Sequence, residues 1–131
     1  MDQNYIIFNK ALKTFIRELI VTFPKQKEFS VMLIVYKMCK SISRKTPQKY
    51  FKDILLTPYR DYLEREDDTF FNNNLFSKSV FPIHIQILMQ DLDEICKIWS
   101  QIDQENKKII WQHIKILIVA SDNCDKANFI L

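Results

Sequence analysis

The chain has 131 residues, of which 47% are apolar and 27% charged, with a formal net charge of +3. That is enough for one domain with a real core, and too apolar for intrinsic disorder. Glycine is absent, which excludes glycine-rich phosphate loops and the dinucleotide-binding fingerprint, and makes tight β-hairpins hard to build.

Apolar residues Phe8, Leu12, Phe15, Ile16, Leu19, Ile20 and Phe23 recur at helical spacing, with Lys10, Lys13 and Arg17 between them. The pattern predicts an amphipathic first helix closed by Pro24. A second helix is expected from about Lys27. Val31, Ile34, Val35, Met38 and Ile42 are read as its core face, and Leu33, Lys37, Lys40 and Arg44 as a narrow outer stripe. Thr46 followed by Pro47 is a helix start, a capping hydroxyl and then proline in the first turn. Phe51, Ile54, Leu55, Tyr59, Tyr62 and Leu63 then line one side, and Pro58 either kinks this helix or begins a new turn behind Thr57.

Glu64, Glu66, Asp67 and Asp68 crowd the end of that helix, where negative charge opposes the dipole. Asp67 or Asp68 is therefore expected to cap a short turn through Phe70 and Phe71. Residues 72–79 read as a mobile loop. A fourth helix with Pro82 in its first turn would bury Ile85, Leu88, Met89, Leu92, Ile95, Cys96 and Trp99. Asp103 is expected to cap a fifth helix, with Ile110, Trp111, Ile114, Leu117 and Ile118 facing inward. Residues 122–131 lack a clear period and read as a loose tail. The expected architecture is all-α: one domain, residues 1–131, a bundle of about five helices with short connections.

Trp99 and Trp111 fall on the inward stripes of neighbouring helices, so they are assigned to the core. A binding platform would instead need one of them exposed. No apolar run is long enough to span a bilayer, so no membrane partner is expected. Cys39, Cys96 and Cys124 have no paired spacing and no secretory leader precedes them, which fits reduced thiols in a cytosolic setting. His84 and His113 are too far apart to suggest a metal site, and no cofactor is expected. The carboxylates Asp91, Asp93 and Glu94, like those from Glu64 to Asp68, read as solvated helix faces rather than an acid–base pair. No catalytic residue is assigned.

Charge is divided along the chain: residues 1–60 carry a net +8 and residues 61–131 a net −5. Such asymmetry means a basic surface for nucleic acid, or complementary faces that meet within or between chains. Lys37, Lys40, Arg44, Lys45, Lys49 and Lys52 form a candidate basic contact patch, with Tyr50 available to stack on a base. Glu64, Glu66, Asp67 and Asp68 form a candidate acidic patch that could receive the basic one of another copy.

Three stretches, FIRELIVTFP (residues 15–24), YKMCKSISRKTPQKYF (36–51) and IWSQIDQENKKIIWQHIKILIVAS (98–121), together resemble small α-helical proteins of nucleocytoplasmic large DNA viruses. The resemblance implies a viral protein located in the host cytoplasm, at the virus factory, or in the virion, and it carries no catalytic motif. The expected function is thus that of a non-enzymatic interaction or structural protein acting on a protein partner, viral or a second copy. Non-sequence-specific nucleic-acid binding through residues 37–52 is the alternative.

Overall fold

The computed structural model describes residues 2–72 and 95–129, and among these the protein is helical with no strand. Helix α1 spans Asp2–Thr22, α2 Glu28–Ile42 and α3 Thr46–Tyr50. A π-helical turn, Phe51–Leu56, leads into α4, Thr57–Glu64, and α5 is the single turn Thr69–Asn72. Residues 95–98 are helical and run into a 3₁₀ turn, Trp99–Gln101. The long α6, Gln104–Phe129, follows. The expected loop 72–79 and the expected fourth-helix positions Pro82, Ile85, Leu88, Met89 and Leu92 lie outside the described residues, apart from Asn72 at the end of α5, as do His84, Asp91, Asp93 and Glu94.

The bundle is organised by α1 against α6. The Asn128 side chain donates to the Tyr5 hydroxyl at 2.7 Å, while Phe15 stacks on His113 with ring centres 5.0 Å apart. Rising residue numbers on one helix meet falling numbers on the other, so the two run antiparallel. Their shared seam buries Phe8, Ile16 and Leu19 against Ile114, Leu117 and Cys124 in one continuous core. The expected loose tail is accordingly corrected. Helix α6 continues through residues 122–129, and Cys124 is fully buried. The missing period after Ser121 misled because the C-terminal turns bury small residues, Ser121 and Cys124, rather than large aliphatic ones.

Helix α2 carries a second correction. Its buried residues are Phe29, Met32, Val35, Tyr36 and Cys39, and Leu33 packs partly against the core. Val31, Ile34, Met38 and Ile42 are exposed. The helix is turned from the expected face by one residue position, roughly 100°. Apolar residues surround most of its circumference, so period alone fits either rotation. The aromatic residues decide, because a ring buries more area than an aliphatic side chain. Phe29 packs beside Phe23 at 6.0 Å, and the Tyr36 hydroxyl donates to the Asn9 carbonyl at 3.1 Å.

Pro47 stands in the first turn of α3 as expected, but Thr46 does not cap it. The capping position is Lys45, whose backbone N–H donates to the Ser43 hydroxyl at 3.2 Å. Around Pro58 the chain both continues and bends. The π-helical turn widens the helix, and Tyr59 (φ −126°, ψ 21°) marks the kink.

Helix α4 then stops without glycine. Glu66 takes the left-handed conformation (φ 52°), the Glu66 N–H reaches Leu63 O at 3.3 Å and the Asp67 N–H reaches Tyr62 O at 3.0 Å. This is the Schellman pattern, normally completed by glycine. Asp67 Oδ1 then accepts from the Thr69 N–H at 3.0 Å and opens α5, as expected.

Candidate interaction surface

The two indoles belong to the core. Trp99 is fully buried and Trp111 nearly so. Phe71 lies flat on Trp99 with centres 4.0 Å apart, and Trp111 meets Trp99 edge-on at 6.0 Å. The Trp111 Nε1–H donates to Asp68 Oδ1 at 3.1 Å. Trp99 Nε1 has no acceptor among the described residues, and Lys107 Nζ stands 5.2 Å from the centre of its ring. The aromatic cluster therefore pins α5 and the 3₁₀ turn to α6 and presents no platform to solvent.

The six cations read as one patch go to different places. Lys37 and Lys40 are exposed on α2. Arg44 sits where the chain leaves α2, and its carbonyl accepts from the Asn9 side chain at 3.0 Å. Lys45 Nζ lies 5.5 Å over the Tyr5 ring, and Lys49 is exposed on α3. Lys52 turns to Asp125 at 3.1 Å. Tyr50 is partly buried against the core, so it is not poised to stack on a base.

Two cations that the sequence reading left out complete the cluster around Lys37 and Lys40. Lys13 on α1 has its ammonium pKa lowered chiefly by Arg17, then by slight desolvation, and then by Lys40 and Lys37. Arg17, Lys37 and Lys40 thus all stand near enough to act on the Lys13 ammonium. The signal was present in the sequence, since Lys13 and Arg17 are four residues apart on one helix face. What it lacked was the pairing of α1 with α2.

Three of the four acidic residues make contacts within the chain. Glu64 accepts from Arg60 at 3.0 Å, Arg65 lies 3.7 Å from Asp67, and Asp68 holds Trp111. Glu66 is exposed at the helix stop. Arg60 also binds Asp122 at 2.8 Å, and that contact holds the Asp122 carboxyl below the usual carboxylate range. Beside it, Gln48 donates to Ser121 Oγ at 2.9 Å and to Asp125 Oδ1 at 3.3 Å. Basic first half and acidic second half thus meet along the seam between the π-helical segment, α4 and α6.

Among the described residues, Cys39 and Cys124 are buried and His113 is half-buried. Burial lowers the His113 pKa, opposed by Glu18. Burial raises the Cys39 thiol, and burial with Asp125 pushes Cys124 up to about 11. Among the described residues no group of three His, Cys, Asp or Glu side chains is placed to hold a metal ion. A cavity of about 120 Å³ has an apolar lining that includes Leu12, Phe15, Met32, Ile54 and Ile114. None of the described helices is long and apolar enough to cross a membrane.

Fold and surface together define an all-α helical protein with a cationic α1–α2 face. No family model, no curated protein and no solved structure matches the chain.

Proposed function

We propose that this protein is a non-enzymatic interaction protein that works by presenting helix faces and charge to a protein partner. The supporting observation is α2 itself, which exposes Lys37 and Lys40 and, on another part of its circumference, Val31, Ile34, Met38 and Ile42. Large exposed apolar patches on a folded domain mark contact sites, and clustered like charge sets the sign of the partner and speeds its approach. A setting in a large DNA virus, at the cytoplasmic factory or in the virion, rests on the resemblance of the three sequence stretches alone.

The test is affinity capture from producing cells with quantitative mass spectrometry, comparing wild type with the Lys37→Glu, Lys40→Glu double variant. The expected result is a defined protein enriched on the wild type and lost from the variant. Equal recovery on both, or recovery of nothing above background, contradicts the reading.

The exposed lysines of α2 favour non-sequence-specific nucleic-acid binding as the second reading. It requires retention on DNA or RNA that falls steeply with salt, because each neutralised phosphate releases counterions. Absence of retention at low salt eliminates it.

A further inference from the structure

Two Thr-Pro pairs occur in the chain, Thr46-Pro47 and Thr57-Pro58, and each has a basic residue two places after the proline, Lys49 and Arg60. Proline-directed protein kinases select this pattern. Their pocket for the residue after the acceptor hydroxyl suits a residue without an N–H, and an anionic site further on takes Lys or Arg. The fold treats the two pairs differently. Pro47 and Gln48 are buried, and the Gln48 side chain is tied to Ser121 Oγ at 2.9 Å. Thr57 and Pro58 are both exposed.

We propose that Thr57 is a phosphorylation site for a proline-directed Ser/Thr kinase, and that the phosphate loosens the seam between α4 and α6. The Thr57 Oγ1 attacks the γ-phosphorus of ATP. The new Oγ1–P bond replaces the bond from that phosphorus to the β,γ-bridging oxygen, ADP leaves, and the hydroxyl proton passes to the catalytic carboxylate of the kinase.

A kinase takes its substrate extended, so the segment must open, and the local backbone favours this. Residues Phe51–Leu56 form a π-helical turn, and the Thr57 N–H reaches back to Lys52 O. Pro58 has no N–H to give, and Tyr59 leaves the helical angles. Helix of this kind is poorly bonded and opens locally at lower cost than a regular α-helix. No side chain caps α4, so the Thr57 hydroxyl is not committed to starting it. Arg60 must leave Glu64 and Asp122 for the kinase, but these pairs lie at the surface and are weak.

Once the segment closes again, the phosphate brings a charge of about −1.5 to −2. Asp53 and Asp61 stand four residues to either side of Thr57, where like charge repels along a helix. Arg60 is three residues away and pairs more strongly with a phosphate than with a carboxylate of single charge. Repulsion within α4 and withdrawal of Arg60 from Asp122 both act against the seam.

The test is incubation of the intact protein with a cyclin-dependent kinase–cyclin complex and Mg-ATP, with sites mapped by mass spectrometry. A peptide of residues 43–64 is the unfolded control. The expected result is phosphate on Thr57 of the protein with Thr46 spared, and on both threonines of the peptide. Incorporation should vanish in Thr57→Ala and fall at least 10-fold in Pro58→Ala, which keeps the hydroxyl; circular dichroism checks that both variants fold. In the phosphoprotein, amides of residues 57–64 and 121–129 should exchange with deuterium roughly two- to five-fold faster, as loss of an exposed ion pair allows.

A peptide that is phosphorylated while the protein is not means that the fold shields Thr57, and the site is overturned. A peptide left unmodified at Thr57, phosphate on Thr46 of the protein in preference to Thr57, or full incorporation in Pro58→Ala overturns it too. Phosphoprotein with unchanged exchange in both segments overturns the effect on the seam.

Discussion

Trp99 and Trp111 are both buried in the aromatic cluster, and their roles differ. The Trp99 indole N–H has no acceptor among the described residues; its ring lies against Phe71 and Trp111, with the Lys107 ammonium over it. Trp99→Ala should therefore cost about 3–5 kcal/mol, measured by denaturant unfolding, and Trp99→Phe distinctly less, because much of the ring packing survives. Trp111 adds a polar tie to Asp68.

His113, stacked on Phe15, sets an acid limit. Its pKa is lowered from the ordinary 6.5, chiefly by burial. Around and below pH 6.5 the unfolded chain takes up this proton more readily than the folded one, so unfolding is favoured as pH falls. The contribution of the neutral imidazole is full above that pH and is lost as pH drops toward the folded value. Melting temperature of the wild type should fall between pH 7.5 and 5.5 more than that of His113→Gln. Parallel profiles would remove His113 as the cause.

At the scale of elements, the helix stops and the helix faces were legible in the sequence to different degrees. Pro24, the Pro47 turn, the Asp67 start of α5 and the inward row of α6 from Ile110 to Ile118 all follow from local chemistry, and the structure has them. The face of α2 did not, because aliphatic residues occupy both possible rows and only Phe29 and Tyr36 break the tie. The end of α6 did not either, because its buried residues are small. Of the candidate basic patch, Lys37, Lys40, Arg44, Lys45 and Lys49 are exposed, whereas Lys52 is drawn to Asp125 by a contact 73 residues away in sequence that no local pattern encodes.

The stop of α4 yields an element-scale prediction. Glu66 holds a left-handed backbone without glycine. Relief of that strain, about 1–2 kcal/mol, outweighs the extra chain entropy of glycine, about 0.5–1 kcal/mol. Glu66→Gly should thus raise stability by roughly 0.5–1 kcal/mol in urea unfolding, and Glu66→Val should lower it. On the same seam, Asp122→Asn weakens the Arg60 contact. Both side chains are a third or more exposed, so solvent screening limits the loss to about 0.5–1 kcal/mol.

Across the whole molecule, charge division and helix pairing give one picture. The acidic second half neutralises part of the basic first half at Lys52–Asp125 and Arg60–Asp122. Lys37 and Lys40 stay exposed on α2, and so does a row of aliphatic side chains on the same helix. The proposed function depends on which way α2 is turned. Its two methionines report that rotation: Met38 is 58% exposed and Met32 only 7%. Oxidation of the native protein by dilute peroxide, followed by peptide mass spectrometry, reads each thioether separately. Met38 should convert to the sulfoxide well before Met32, which should stay protected until the protein unfolds. Oxidation of Met32 as fast as Met38, or faster, would turn the helix round and contradict the account.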